Sequence, residues 1–174
     1  MLVVDIPYIS DSVIEWKPYK NGDDIVSKFS AEDWHKIASD VDSEEVLQNL
    51  FEQHPDKIRG YVLYEVASST PIAFVYILKE YSKRRTVSYH GGGWNRSPKL
   101  ALLYYRGCIL LIKRILESGI RVHTTTANDN KRAFKFMHSM GFVPFRKTDE
   151  KTYQWVSLKR LLNSKIYKRL FVDV

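Results

Sequence analysis

The chain has 174 residues, of which 44% are apolar and 13% aromatic. This composition supports one hydrophobic core, and this length is too short for two ordinary domains. Its only cysteine, Cys108, excludes an internal disulfide and a multi-cysteine zinc site, so no metal site is predicted. The N-terminus lacks the features of a signal peptide, and no uncharged apolar run approaches ~20 residues, so we expect a soluble, cytoplasmic protein.

Charge is distributed unevenly along the chain. Residues 1–87 carry 10 basic and 15 acidic side chains, a net charge of −5, and residues 88–174 carry 17 and 5, a net charge of +12. A strongly basic half indicates a polyanionic partner, either nucleic acid or a polyphosphate cofactor. The simpler explanation is that these cations lie on solvated helix faces.

The N-terminal part of the chain alternates between predicted strands and helices. Residues 13–19 predict a first strand, and a capping box at the start of residues 30–39 predicts a helix. Residues 43–53 predict a second helix with an apolar stripe, and Pro55 follows its end.

The middle of the chain predicts a hairpin, a strand and a long helix. Segments 59–68 and 70–81 are rich in Val, Ile, Tyr and Phe and predict the hairpin. Residues 86–91 predict a strand and residues 98–118 a long helix. Gly107 falls inside that helix, where it costs ~1 kcal/mol relative to alanine, and close packing would explain its presence.

The C-terminal part predicts a β-α-β unit followed by a last strand. Residues 121–126 combine valine with three threonines, as in a pleated strand. Asn130 is an N-cap residue type for the next helix, and Gly141 is expected to take a positive φ where that helix ends. A strand follows directly, then a closing strand at 152–158 and a basic helix within the tail 160–174.

One pattern in this part of the chain resembles a known family. Residues 130–142 read Asn-x-x-Ala-x-x-Phe-Met-x-x-Met-Gly-Phe, which is similar to the second half of GNAT-superfamily N-acetyltransferases, usually written Asn-x-x-Ala-x-x-(apolar)-Tyr-x-x-(apolar)-Gly-Phe. The predicted order β-α-α-β-β-β-α-β-α-β-β over about residues 10–159 is also the GNAT order. The resemblance implies a single α/β (α+β) domain over residues 1–174. It would have a central mixed β-sheet, four main flanking helices and a short C-terminal helix.

The resemblance also implies a binding site for acetyl-CoA at the start of the long helix. Ser97 suits the N-cap and Pro98 the first helical position, and free amides at a helix N-terminus attract anions. The family's phosphate loop is usually Arg/Gln-x-x-Gly-x-Gly/Ala, whereas here an abbreviated loop over residues 93–99 lacks that glycine spacing. The predicted cofactor-binding residues are Trp94, Asn95, Arg96, Ser97, Lys99 and, by analogy with the family's pantetheine contact, Asn130. Helix capping is the alternative role of Asn130.

The chemistry implied by the resemblance is direct transfer of an acetyl group from a CoA thioester to an unidentified amine. Such a reaction needs a base for the amine proton and uses an acid for the leaving thiolate. His90 is the first candidate base, and Glu80 and Glu65 are second choices. Met137 stands where the family often has a tyrosine acid, and it cannot donate a proton. The possible replacements are Tyr104, Tyr105, Tyr153 and His138.

Other functions stay open at this stage. A catalytically silent GNAT-fold protein, a type that phages also encode, would serve as a binding or structural module, and both the missing tyrosine and the irregular loop favour it. Nucleic-acid binding through the basic half has aromatic residues available but no recognisable motif. His90-Gly-Gly-Gly resembles the oxyanion loop of lipase-type α/β hydrolases, but the chain has no Gly-x-Ser-x-Gly nucleophile motif, which argues against that class.

Overall fold

The computed structural model describes residues 9–20, 29–30, 43–79, 85–93 and 97–172, which form eight strands and five helices. The strands are β1 (Ile9–Ser10), β2 (Ile14–Pro18), β3 (Ile58–Glu65), β4 (Thr70–Lys79), β5 (Thr86–Gly93), β6 (Arg121–Ala127), β7 (Val143–Lys147) and β8 (Lys151–Val156). The helices are α1 (Glu44–Gln53), α2 (Pro98–Glu117), α3 (Lys131–Ser139), α4 (Leu158–Asn163) and α5 (Lys165–Phe171).

All eight strands belong to one mixed sheet in the order β1-β2-β3-β4-β5-β6-β8-β7. Neighbouring strands are antiparallel except β5 and β6, which are parallel. A parallel pair needs a long crossover connection, and α2 supplies it. The sheet therefore has one parallel junction at β5–β6, with an antiparallel group of strands on each side.

Helices cover the two faces of the sheet and create two cores. Because side chains alternate along a strand, Val75 and Ile77 of β4 enter the core beneath α2, whereas Phe74 and Tyr76 enter the core beneath α1. Met137 on α3 joins the α2 core. No helix in the described part of the chain has the length and apolar character needed to cross a membrane.

Close packing explains the glycine in the middle of α2. A Cβ atom added to Gly107 would lie 2.6 Å from one Leu63 methyl carbon and 2.7 Å from the other. The buried indole nitrogen of Trp16 donates a hydrogen bond to the Gly107 carbonyl oxygen over 2.8 Å. Both contacts require the helix backbone to approach the sheet closely, so the predicted reason for Gly107 is confirmed.

The predicted mixed sheet is confirmed, with differences at the ends of the chain. The predicted helix at 30–39 lies almost wholly outside the described residues. The last strand ends at Val156, two residues early, because the Ser157 side chain caps α4. The tail holds two short helices where one was predicted, because the Ser164 side chain accepts a hydrogen bond from the Tyr167 amide and starts α5.

Candidate functional site

The two parallel strands at the centre of the sheet pair briefly and then separate. Thr86, Val87 and Ser88 of β5 pair with residues 121–123 of β6. Beyond Ser88, β5 continues along β4 to Gly93, and β6 continues along β8 to Ala127. The C-terminal halves of β5 and β6 therefore border a gap in the sheet, which we call the β5–β6 cleft. The carboxyl ends of diverging parallel strands are a common place for a ligand.

A side-chain hydrogen bond replaces strand pairing where the cleft begins. The Thr124 hydroxyl donates to the Tyr89 carbonyl oxygen over 2.8 Å in a buried position. Tyr89 is the first β5 residue beyond the parallel pairs. Its carbonyl group therefore stays satisfied although the two backbones move apart, and the cleft has a fixed inner end.

Next to the cleft, β6 and β8 carry buried polar groups on the same face of the sheet as α2. The Gln154 side-chain amide donates to the Thr126 hydroxyl oxygen over 3.0 Å. The Gln154 Oε1 atom is buried and has no hydrogen-bond partner in the described part of the chain. A buried acceptor without a partner costs free energy, and this oxygen is closed off from solvent.

The β5 side of the cleft ends in three consecutive glycines, residues 91–93. A Cβ atom on Gly91 would lie 2.4 Å from Val75 Cγ1 and 2.8 Å from the Phe74 carbonyl oxygen, so β5 approaches β4 too closely for any other residue. The last three residues of β5 therefore border the cleft with backbone and without side chains. An extended ligand could lie against this backbone.

The start of α2 has the predicted cap. The Ser97 hydroxyl accepts a hydrogen bond from the Leu100 amide over 3.2 Å, and Pro98, at the first helical position, has no amide hydrogen. The Lys99 amide is therefore the first-turn donor left for an anion, next to the positive end of a 20-residue helix. The predicted cofactor residues Trp94, Asn95 and Arg96 lie outside the described residues.

The side chain of Lys99 has a carboxylate partner. Its ammonium nitrogen lies 2.7 Å from Glu65 Oε1 at the end of β3. Hydrogen bonds from Lys99 and then Ser68 lower the pKa of the Glu65 carboxyl below its ordinary value. The pairing weakens two predictions, because Lys99 is less available to a phosphate and Glu65 becomes a poorer base.

The imidazole of His90 is held in place near the cleft. Its Nε2 atom lies 2.7 Å from the Ser88 hydroxyl, and its ring stacks on Tyr76 with centroids 4.8 Å apart and an interplanar angle of 11°. His90 lies on β5 beyond the parallel pairs and on the face opposite Tyr89. The structure thus gives the first candidate base a fixed orientation, whereas Glu80 lies outside the described residues.

Among the four proposed replacement acids, Tyr104 is the one whose ring lies beside the end of β5, but its hydroxyl is buried in the α2 core near Tyr89 and Cys108. Its ring stacks on Phe136 of α3 with centroids 5.0 Å apart, and a Cβ atom on Gly93 would lie 3.6 Å from its Cδ1. Burial, followed by the influence of Cys108, raises the pKa of the Tyr104 phenol well above 10, so it keeps its proton at neutral pH. Met137 is buried in the core, as its apolar character suggests.

The other three candidates lie in different surroundings. The Tyr105 hydroxyl accepts a hydrogen bond from Ser139 over 3.3 Å. His138 is exposed and stacks on Phe134. Tyr153 lies on β8, beneath the guanidinium group of Arg146.

Two asparagines stabilise the loops after β6. Asn130 Oδ1 accepts a hydrogen bond from the Ala133 amide over 3.0 Å, so the residue caps α3, and contact with a cofactor stays a prediction. Asn128 donates to the carbonyl oxygens of Thr148 and Asp149 and accepts from the Thr152 hydroxyl. From the sequence, Asn128 is an N-cap residue type, and its contacts to the β7–β8 turn, like the roles of Thr124 and Gln154, were not predicted. The signal available was an unusual density of polar residues in two buried strands.

Cys108 lies in the α2 core and not in the cleft. Its sulfur is 2.9 Å from the Tyr89 hydroxyl, and both groups are buried. Burial raises the pKa of the Cys108 thiol to about 12. The thiolate needed for nucleophilic attack is therefore scarce at neutral pH.

Comparison with solved structures shows which fold this is. The chain is similar to a spermidine N-acetyltransferase from Vibrio cholerae in complex with CoA and spermine, at a TM-score of 0.65 and 15% identity, over 88% of this chain and 100% of the other. It is also similar to a GNAT-family acetyltransferase from Bacillus anthracis (TM-score 0.65, 12% identity, 88% and 99% covered). An N-acetyltransferase from Campylobacter jejuni is a third similar structure (TM-score 0.58, 14% identity, 83% and 98% covered).

Sequence comparison alone gives no family. No protein-family model matches the chain, and no curated protein matches it by sequence. The structural likenesses nevertheless extend over almost the whole of the similar proteins, so the chain has the GNAT fold in a divergent form.

Proposed function

We propose that this protein is an acyl-CoA-dependent N-acyltransferase that transfers an acetyl group directly from acetyl-CoA to an amine. The observation that carries the proposal is the β5–β6 cleft, which opens where β5 leads towards the capped N-terminus of α2 within a GNAT fold. The Vibrio cholerae protein of this fold is described as a complex with CoA and spermine, which supports a CoA thioester and an amine as substrates.

The residues around the cleft suit the chemical groups of coenzyme A. The pantetheine arm is extended and carries amide groups, and it would lie against the β5 backbone of residues 91–93, which borders the cleft without side chains. The pyrophosphate needs donors and positive charge, which the Lys99 amide, the dipole of α2 and the side chain of Arg96 would provide. Asn130 is proposed to contact the pantetheine arm with the side-chain amide that capping does not use.

The proposed chemistry uses an oriented base. The bound thioester supplies an activated acetyl group. His90 takes a proton from the attacking amine, and Ser88 and Tyr76 hold the imidazole at its angle. Solvent is the proposed proton source for the leaving thiolate, because the Tyr104 hydroxyl is buried in the α2 core near Cys108. Most of the rate enhancement would come from holding the two substrates together.

The state of Cys108 favours direct transfer over a cysteine-linked acyl intermediate. Its thiol is buried beside Tyr89, and its raised pKa of about 12 keeps it protonated. Direct transfer requires both substrates to be bound at once. Initial-rate plots at several fixed amine concentrations should therefore intersect, whereas parallel lines would indicate a covalent intermediate.

The experiment that tests the proposal is an assay of CoA release with acetyl-CoA and a panel of amines. We expect His90→Ala to lower kcat by ~10²–10⁴ while the affinity for CoA stays nearly unchanged. His138→Ala is the matched control, because His138 is exposed on the outside of α3. Equal activity of the His90 and His138 variants would show that the base lies elsewhere, and Glu80 would be tested next.

The second candidate function is a catalytically silent GNAT-fold binding protein. It is favoured by Met137, whose buried thioether stands where the family's tyrosine would be. Measuring CoA binding and turnover on the same protein distinguishes the two candidate functions. Saturable CoA binding with no acetylation of any amine tested would support the silent protein. A cytoplasmic location stays a prediction for both.

A further inference from the structure

Large aromatic side chains are exposed on the last two strands of the sheet. Phe145 on β7 is 57% exposed and Trp155 on β8 is 42% exposed. Tyr153 is two residues from Trp155 on the same face of β8, and its ring centroid lies 6.3 Å from that of Phe145. These rings form one surface on the face of the sheet opposite α2.

An irregularity in β7 creates this arrangement. The register between β7 and β8 shifts between Pro144 and Arg146, so Phe145 is an extra, bulged residue. A bulge redirects side chains, and here both Phe145 and Arg146 lie beside Tyr153. Without the extra residue, normal alternation would put Phe145 and Arg146 on opposite faces.

Two arginines lie over the aromatic rings. The Arg146 guanidinium carbon is 5.3 Å from the Tyr153 ring centroid, and that of Arg160 is 5.9 Å from the Trp155 centroid. Neither arginine forms an ion pair with a carboxylate in the described part of the chain. We call Phe145, Arg146, Tyr153, Trp155 and Arg160 the β7–β8 platform.

The surroundings of the platform are cationic. β5, β6, β7 and β8 contain no Asp or Glu, and residues 143–172 contain eight Lys or Arg against two acidic residues, Asp149 and Glu150 in the turn between β7 and β8. Edge strands often carry cations that prevent strand pairing with another chain, but that role gives no reason to expose Phe145 and Trp155. Self-association through the platform would bring like charges together. A polyanion that carries flat rings would explain the exposed aromatic side chains and would be attracted to the cations.

We propose that the β7–β8 platform binds single-stranded nucleic acid. Unpaired bases would stack on Phe145, Tyr153 and Trp155, and the phosphates between them would contact Arg146 and Arg160. Exposed aromatic rings together with cations are the combination used for single strands, because every base has a stacking face. Base pairing hides these faces, so a duplex would bind to the cations alone. This proposal does not depend on the acyltransferase activity.

The test measures binding of a fluorescein-labelled oligouridylate of about 12 nucleotides to the full chain by fluorescence anisotropy. Trp155→Leu and Phe145→Leu, both at exposed positions, should each weaken binding about tenfold, as expected for the loss of one base–aromatic stack. Unlabelled single strand should compete better than duplex at equal phosphate concentration. Heparin, which has no bases, should compete no better than duplex.

Charge variants distinguish binding at the platform from non-specific attraction of nucleic acid to the basic surface. The double variant Arg146→Gln and Arg160→Gln should reduce the slope of log Kd against log salt by about 1.4, the value for two lost phosphate contacts on a single strand. The matched control Lys165→Gln and Lys168→Gln removes the same charge from exposed positions on α5 and should leave the slope almost unchanged.

Three results would overturn the proposal. The first is equal competition by single strand, duplex and heparin. The second is an equal loss of binding in the α5 control and the platform variants. The third is a monomer–dimer shift on Trp155→Leu in sedimentation, with nucleic-acid binding unchanged, which would assign the platform to a second copy of this chain.

Discussion

At the scale of single residues, Gly141 and Gly119 have similar backbone conformations but different surroundings. Their φ angles are +91° and +74°. A Cβ atom on Gly141 would lie 2.7 Å from the Arg160 carbonyl oxygen, whereas one on Gly119 would meet nothing within 4 Å. Substitutions at these two glycines therefore distinguish the cost of backbone strain from the cost of a steric clash.

We predict that Gly119→Ala lowers the free energy of unfolding by about 1 kcal/mol and Gly141→Ala by about 2–4 kcal/mol. Strain from a positive φ applies to both variants, and the collision with the Arg160 backbone applies only to Gly141. Urea denaturation measures both values. Equal losses would mean that α4 moves away from Gly141 without cost.

The Asp11 carboxyl predicts a pH dependence of stability. Burial alone would raise its pKa, but the hydrogen bond from Arg106 and those from the Ile14 and Val13 amides together lower it below 3.8. A carboxyl with a lowered folded-state pKa stabilises the protein above its unfolded pKa of about 4, and this contribution disappears as pH falls through the folded value.

We therefore predict that Asp11→Asn lowers the free energy of unfolding by at most about 1 kcal/mol at pH 7, because the ion pair is partly exposed. The difference from the unaltered protein should shrink below pH 4 and be small at pH 2. Denaturant unfolding across this range measures it. The same difference at pH 2 and pH 7 would show that the carboxylate charge is not the cause.

Residues whose roles are local could be predicted from the sequence. Ser97, Asn130 and Gly141 cap helix ends as expected, because capping depends on residues within four positions along the chain. The Lys99–Glu65 ion pair and the unpartnered Gln154 oxygen could not be predicted. They depend on which strands and helices become neighbours in the folded sheet.

At the scale of secondary structure elements, the strands and helices were predictable but the separation of β5 from β6 was not. Periodicity shows that 86–91 and 121–126 are strands, and it carries no information on how long two parallel strands stay paired. The length of pairing depends on the register and twist of the whole sheet. Even so, the polar residues of β6 that border the cleft were visible as a run of three threonines.

Thr124→Val tests how the inner end of the cleft is held. The substitution keeps the shape of the side chain and removes the hydrogen bond to the Tyr89 carbonyl, leaving a buried acceptor without its donor. We expect a loss of about 1–3 kcal/mol in the free energy of unfolding. Thr125→Val is the control on the opposite face and should change stability by less than about 0.5 kcal/mol. Similar effects of the two variants would contradict the role given to Thr124.

Arg96→Ala tests the contribution of the loop before α2. Loss of one charged contact to the pyrophosphate should weaken CoA binding about tenfold without lowering the free energy of unfolding. Arg121→Ala is the matched control, because Arg121 is exposed at the paired end of β5 and β6, away from the cleft. Titration calorimetry measures both affinities. Equal weakening by the two variants would indicate general electrostatic attraction.

At the scale of the whole molecule, the basic C-terminal half of the chain contributes residues to both faces of one sheet. The N-terminus of α2 lies on one side, where we propose the CoA phosphates, and the β7–β8 platform lies on the other. The net charge of +12 predicted a polyanionic partner from sequence alone, but charge could not show how many such sites exist. Only the fold separates the cations of the platform from those of α5.

Calorimetric titration of acetyl-CoA into the unaltered protein tests most directly whether the β5–β6 cleft binds a CoA thioester, as we propose. The proposed site predicts saturable binding of one molecule per chain, weakened in the Arg96→Ala variant and preserved in the Arg121→Ala variant. No saturable binding at millimolar acetyl-CoA would contradict the proposed site and leave this GNAT fold without its proposed cofactor.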